Sequence, residues 1–323
     1  DANGCGTLAE YTLNEPAVLF STLVPVTYPS GGNVSCDGAA DGAVDATING
    51  GTPLYAITWS GPGGFTSNAE DIAGLAPGTY TLSVLDMNGC GVSQSVAILS
   101  PDEIHASLNV SQYNSGDAVS CNGGSNGIID LAISGGVAPY SVTWTGPNGF
   151  TSSDIDITGL TAGIYTALVN DAAGCDTSLS ITLTEPTPVQ VSGTTSDHNG
   201  FEVGCNGSSD GSIDISATGG AGNFIYQWTG PNAFASNAED ISGLLPGVYD
   251  VIVNDMNGCK TLLTFTLDAP PALGTSALIA SAACQGASDG GIDLTISGGV
   301  MPYDVQWTGP AGFNSNSEDL TQL

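Results

Sequence analysis

The chain has 323 residues, and its 32 aspartates and glutamates face one basic residue, Lys260, for a formal net charge of −31. That imbalance excludes nucleic acid and anionic membrane as partners held by simple electrostatics, while keeping a long polymer soluble. No apolar run approaches the roughly 18 residues a membrane-spanning helix needs, so direct membrane insertion is not expected. An acid-rich proteome from a salty habitat would produce the same excess. The near-absence of Lys and Arg also removes trypsin-type cleavage points and lysine–asparagine isopeptide staples as general devices.

Asp1 to Cys5 reads DANGC, matching DMNGC at Asp86 to Cys90 near the end of a repeating phrase. The chain is therefore expected to start late in one copy. In the first full copy AVLFSTLVPVTY is a β-rich run closed by the turn cluster PSGGN. AVDATI, from Ala43 to Ile48, alternates Val44, Ala46 and Ile48 against Asp45 and Thr47, the pattern of a half-buried strand. After the NGGTP turn comes YAITWS, with Tyr55, Ile57 and Trp59 two apart. GPGG turns again, and FTSNAEDIAGL holds one or two short edge strands. APG leads into TYTLSVLD, and MNG turns into the last strand, VSQSVAIL. The phrase then recurs about every 85 residues, marked by Trp59, Trp144, Trp228 and Trp307. Expected boundaries are 1–16 for the end of a preceding copy, then 17–101, 102–186 and 187–270, with 271–323 as the start of a further one.

No stretch has helical periodicity. Seven or so short strands per copy, punctuated by Gly and Pro, predict an all-β fold. The expected architecture is a tandem array of immunoglobulin-like antiparallel β-sandwiches forming an extended rod. The four tryptophans fall on the third strand and are expected core residues. LAPGTY, LTAGIY and LLPGVY place Tyr80, Tyr165 and Tyr249 just inside a strand, as in a tyrosine corner. Copies join through NEP, LSP, TEP and DAP, with no Gly/Ser tether, which predicts stiff joints. Neighbouring copies are thus each other's first partners.

CNGGSNGIIDLAISGGVAPYSVTW followed by DITGLTAGIYTALVNDAAGC resembles the SprB-type repeat of cell-surface gliding adhesins in Bacteroidota, over essentially the whole chain. The resemblance implies very large, repetitive, filamentous, extracellular surface proteins exported by the type IX secretion system. In gliding cells such proteins are moved along the surface to contact a substratum.

Eight cysteines at two fixed places per copy suit an oxidising compartment. Cys36 and Cys90, Cys121 and Cys175, and Cys205 and Cys259 are each 54 apart. Equal spacing favours bonding within a copy, a loop closure of about 4 kcal/mol in the chain-entropy model. Against this, the two positions lie at opposite ends of a simple sandwich. Stapling between copies, Cys36–Cys175 and Cys121–Cys259, stays open as the alternative. Oxygen-rich, lysine-free loops suit calcium, and Asp41, Asp45, Asp130, Asp210, Asp214, Asp289 and Asp293 are its candidate ligands. Asn126 takes the Asp41 place in the second copy, and Asp71, Asp156, Asp240, Asp319, Asp1, Asp86, Asp171 and Asp255 also recur. The competing reading is turn chemistry, in which Asp and Asn bond nearby backbone. Phe65, Phe150, Phe234 and Phe313, in a WxGPxxF pattern, could stack on polysaccharide. An abiotic surface or other copies of the chain are further candidate partners. His105 and His198 stand at non-equivalent places, and no nucleophile has a base beside it, so no catalysis is expected.

Overall fold

The computed structural model describes residues 2–323. Asp1 lies outside the described residues. In the first copy the strands are β1 (Phe20–Pro25), β2 (Gly42–Asn49), β3 (Ala56–Ser60), β4 (Thr66–Ser67), β5 (Ile72–Leu75), β6 (Gly78–Leu85) and β7 (Gly91–Ile98). They form two antiparallel sheets, β1-β2-β5 and β4-β3-β6-β7. The alternation read along β2 decides which face is buried. Val44 and Ala46 enter the core while Asp45 and Thr47 stay exposed, because successive side chains of a strand point to opposite faces. Between the sheets pack Val34, Val44, Trp59, Leu75, Tyr80, Leu82 and Ile98.

Trp59 is fully buried, and its indole Nε1 donates to Ala69 O at 3.1 Å and Glu70 O at 3.2 Å. A buried indole thus keeps its one donor satisfied. Trp144 and Trp228 are equally buried and donate to Asp154 O and Ala238 O, each at 3.0 Å. Tyr80 and Tyr249 are buried, and their hydroxyls donate to the carbonyls of Ala76 and Leu245 four residues back, at 3.0 Å.

The second copy repeats this order with β8 (His105–Val110), β9 (Gly127–Ser134), β10 (Ser141–Thr145), β11 (Thr151–Ser152), β12 (Ile157–Leu160), β13 (Gly163–Asn170) and β14 (Asp176–Leu183). The third has β15 (Gln190–Thr195), β16 (Gly211–Thr218), β17 (Ile225–Gly230), β18 (Phe234–Ser236), β19 (Ile241–Leu244), β20 (Gly247–Asn254) and β21 (Lys260–Leu267). Each again pairs a three-stranded with a four-stranded sheet. The fourth copy holds β22 (Gly274–Ala280), β23 (Gly291–Ser297), β24 (Trp307–Thr308), β25 (Asn314–Ser315) and β26 (Leu320–Thr321). Among the described residues it has no counterpart of β6 and β7, so nothing closes over Trp307, which is half-buried.

Two compact units emerge: Asp1–Val110, Ile128–Gly159 and Gly163–Leu183 in one, and Ser111–Gly127, Leu160–Ala162 and Thr184–Leu323 in the other. The first unit contains the whole first copy and most of the second. The second unit contains the third and fourth copies together with loops of the second, including Cys121.

Candidate functional site: the stapled joint

The strand directions place the two cysteines of a copy far apart. In the first copy β1 runs away from the end where the chain comes in, here the leading end. Antiparallel pairing returns β2 to it, sends β3 and β5 outward, returns β6 and sends β7 outward again. Cys36, in the β1–β2 loop, therefore sits at the trailing end, while Cys90, at the β6–β7 turn, sits at the leading end. The expected pairs Cys36–Cys90, Cys121–Cys175 and Cys205–Cys259 are not formed. Instead Cys36 bonds Cys175 and Cys121 bonds Cys259, with Cα–Cα distances of 5.6 Å in both. Identical spacing along the sequence is a property of any tandem repeat and carries no information about which neighbours meet. Strand direction does carry it.

Both halves of the staple are built by local backbone chemistry. Each trailing-end cysteine opens the same tight turn, with the N–H of Ala39, Gly124, Ser208 and Ala287 donating to the carbonyl of Cys36, Cys121, Cys205 and Cys284 at 2.9–3.0 Å. The third residue of that turn is Gly38, Gly123, Gly207 or Gly286, with φ from 69° to 85°, a region that side chains with a Cβ rarely enter. The loop is then tied to the outgoing strand. Asn33 donates its backbone N–H to Leu99 O at 2.8 Å, and its Oδ1 accepts from Leu99 N at 3.0 Å. In the second copy Asn122 donates to Glu185 Oε1 and Pro186 O at 3.0 and 3.2 Å, which fixes the outgoing TEP link.

The leading-end cysteine is presented by an aspartate. Asp171 Oδ1 accepts from the N–H of Ala173 and of Cys175 at 2.9 and 2.8 Å, and its Oδ2 accepts from Val137 N at 2.9 Å. Asp86 and Asp255 do the same for Cys90 and Cys259. All three aspartates are buried. Burial pushes Asp171 up, but the N–H groups of Val137, Cys175, Ala173 and Gly174 outweigh it and hold the carboxyl below its ordinary value. At Asp86 the Thr52 N–H is the largest cause of the same lowering. The glycine pair of the GGxxPY phrase makes room for this cap: a Cβ on Gly136 would meet Asp171 Oδ2 at 2.9 Å, and one on Gly135 would meet Glu103 O at 1.9 Å.

At the Cys121–Cys259 joint Asn257 adds a clasp. Its Nδ2 donates to Ser120 O at 3.0 Å, and its Oδ1 accepts from Asn114 N at 3.2 Å. Ala173 holds the equivalent place at the Cys36–Cys175 joint, where Cys175 Sγ lies 3.4 Å from Ser35 O. Asn257 was invisible as a joint residue in the sequence. Its only signal was the Asn-Gly turn, which hairpins use anyway.

The candidate calcium ligands are not brought together. Asp41, Asp210 and Asp289 each accept one backbone N–H six residues back, from Ser35, Gly204 and Ala283, at 3.0–3.1 Å. Asn126 does likewise from Ser120, so an amide serves where a carboxylate does. The Ser35 hydrogen bonds hold Asp41 below its ordinary carboxyl value. Asp45, Asp130, Asp214 and Asp293 are exposed on the outer faces of their strands. Among the described residues no group of three or more His, Cys, Asp or Glu could hold a metal. Phe65, Phe150 and Phe234 meet Tyr80, Tyr165 and Tyr249 edge to face at centroid distances of 5.2–5.4 Å, which spends their rings on packing. His105 opens β8, and His198 lies in a loop 3.9 Å from Asp210 Oδ2. Among the described residues no helix is long and apolar enough to cross a membrane.

Three-plus-four antiparallel sandwiches with a buried third-strand tryptophan define a tandem array of immunoglobulin-like domains. SprB repeats are detected in that array at four places, residues 32–64, 118–149, 202–233 and 278–312. In the first copy the match runs from the trailing-end cysteine loop to the β3–β4 turn, so it takes in one half of the staple. No curated protein sequence matches the chain. Among solved structures, the tetra-tandem repeat in the extending region of a large adhesion protein is 16% identical. The match covers 94% of this chain and 88% of that one, with a TM-score of 0.25. The four N-terminal Ig domains of Dscam1 isoform 6.44 are 12% identical over 92% and 90%, with a TM-score of 0.23.

Proposed function

We propose that this chain is a load-bearing structural repeat region of a secreted cell-surface adhesin, serving attachment or gliding motility after type IX export, with each copy of about 85 residues one domain. The observation that carries the reading is the disulfide between successive copies. A staple inside a sandwich protects that sandwich alone. One from Cys36 to Cys175 takes tension from one copy directly to the next and bypasses the fold between them. The SprB matches support the cell-surface part of the reading. Packing of Phe65, Phe150 and Phe234 against tyrosines speaks against the first three copies being sugar-stacking modules.

Single-molecule stretching of the chain from its two ends tests this. With both staples closed, the shortest covalent path skips about half of the residues, so the fully extended length should be about half that of the reduced chain, at roughly 3.3–3.6 Å per residue. Equal lengths in the two states would remove the load-bearing reading. Retention on polysaccharide or mineral surfaces that grows with the number of copies would favour a binding array instead.

A further inference from the structure

The two staples share a geometry and differ in charge. Cys36–Cys175 opens onto a hollow of about 230 Å³ lined by both cysteines and by Asp37, Asp102, Glu103 and Asp176. All four carboxylates are exposed, and Asp37 Oδ1 accepts from Ser100 Oγ at 2.6 Å. The repeat puts different residues around Cys121–Cys259. Asn122 stands at the place of Asp37, Thr187 at that of Asp102, Pro188 at that of Glu103 and Lys260 at that of Asp176. Strand register supports the last match: Asp176 opens β14 opposite Asn170, and Lys260 opens β21 opposite Asn254.

Four acids thus surround one bond, while the chain's one basic residue adjoins the other. Asp117, at the place of Gly32, and Glu185, at that of Ser100, are acids that the second joint gains. The Glu185 oxygens are taken up by Asn122 Nδ2 and Gly123 N at 3.0 and 2.7 Å. Asp41, which accepts from Ser35 N beside Cys36, has neutral Asn126 as its counterpart. Asp171 and Asp255, which present the hairpin cysteines, are common to both joints. Access does not separate the two bonds, since all four cysteines are half-buried. Charge does, and the species that attacks a disulfide is a thiolate anion.

We propose that Cys121–Cys259 is a modification site for small anionic thiols such as glutathione, while the acidic hollow shields Cys36–Cys175 from them. A glutathione thiolate attacks the Cys121 sulfur and forms a mixed disulfide there. The bond to Cys259 breaks, and its electron pair leaves on the Cys259 sulfur. The Lys260 ammonium draws the anion in and stabilises the departing thiolate. A second glutathione thiolate then attacks the bound glutathione sulfur, frees Cys121 and leaves as oxidised glutathione. The protons shed by the two glutathiones end on Cys121 and Cys259, and the chain gains the two electrons that they lose. Around Cys36–Cys175 the same anion meets four carboxylates and is repelled. One joint therefore stays closed under conditions that open the other.

The test uses the whole chain carrying C5S, C90S, C205S and C284S, so that no free thiol reshuffles the bonds. Timed exposure to reduced glutathione at low salt is followed by alkylation and peptide mass mapping. Cys121 and Cys259 should be freed about tenfold faster than Cys36 and Cys175, the lower end of what steering by charge achieves, with glutathione captured on Cys121. At 1 M salt, where screening acts beyond about 3 Å, the ratio should shrink to about threefold or less. Cysteamine, whose attacking form carries an ammonium beside its thiolate, should shrink it likewise. K260D should slow the second joint and D176K should speed the first, each by about threefold or more at low salt. Equal rates with glutathione at low salt, or faster opening of Cys36–Cys175, would overturn the proposal. So would a ratio untouched by salt, by cysteamine and by both substitutions, because packing would then set the rates. Glutathione captured on Cys259 in place of Cys121 would overturn the assigned direction of attack. The inference goes beyond the load-bearing reading: opening rates are the same whether or not the staples carry tension, so either can fail alone.

Discussion

Cys36 and Cys175 stand 139 residues apart in sequence and 5.6 Å apart between Cα atoms. The pairing makes the trailing-end loop of one sandwich and the leading-end hairpin of the next a single covalent object. Closing so long a loop restricts the unfolded chain by about 5 kcal/mol in the chain-entropy model. C36S, C175S and the double variant should therefore lose similar stability in thermal melts, up to that amount, because each removes the same bond. Non-reducing peptide mapping should find Cys36–Cys175 and Cys121–Cys259. A Cys36–Cys90 peptide would refute the pairing.

Asp171 predicts a pH dependence. Its carboxyl titrates below the ordinary value in the folded chain, whereas an unfolded aspartate titrates near about 3.9. The stability it adds is thus fully present above about pH 4 and is lost as pH falls through the folded value. D171N keeps the side-chain size and removes that titration. Its melting temperature should lie below that of the parent at pH 7, and the gap should close as pH falls from about 4 through the lower folded value. Comparing the two proteins cancels the relief of self-repulsion that acid brings to so negative a chain. A gap constant over that range would mean the carboxylate charge is not what holds the Cys175 turn.

Much of the fold was legible because its signals are local. The two-residue period of Val44, Ala46 and Ile48, the glycine turns and the spacing of the four tryptophans each depend on a few neighbouring residues. The tyrosine hydroxyls bonding four residues back are local too. The staple was not legible in the same way. Cys36 is 54 residues from one candidate partner and 139 from the other, and only the count of strand reversals between them tells which is near. The aspartates divided for a related reason: recurrence marks them all equally. Burial sets Asp86, Asp171 and Asp255 apart from exposed Asp45 and Asp130, and burial follows from the GG pairs folding over the hairpin turn.

Calcium should make no difference to the folded chain. Asp41, Asp210 and Asp289 already use an oxygen on a backbone N–H, and the outward aspartates of β2, β9, β16 and β23 do not converge. Melts with excess calcium and with chelator should superimpose. A chelator-dependent drop of several degrees would restore Asp41 and its equivalents as ligands.

Gly61 separates lack of space from backbone strain. A Cβ there would come within 2.5 Å of the Tyr80 ring, whereas one on Gly63 meets nothing within 4 Å but sits at φ +61°. G61A should cost about 1–3 kcal/mol through overpacking of the corner. G63A should cost about 1 kcal/mol through the left-handed backbone alone. Urea melts of the two variants would show the order, and equal losses would mean that the Tyr80 ring moves aside freely.

Trp228 and Trp307 occupy the same repeat position with the same indole hydrogen bond, to Ala238 O and to Ser317 O. Only Trp228 is covered, by Tyr249, Val251, Val253 and Leu267 of β20 and β21. Truncating a buried tryptophan removes its transfer energy and leaves a cavity, at about 3–5 kcal/mol. W228A should therefore unfold the third copy at markedly lower denaturant. W307A should cost well under half as much, since its ring never left water fully. Near-UV circular dichroism offers the check on rigidity, because the ordered, buried indole of Trp228 should contribute a signal that Trp307 largely lacks. Equal losses in both variants would mean that the indole of Trp307 is as well packed as that of Trp228.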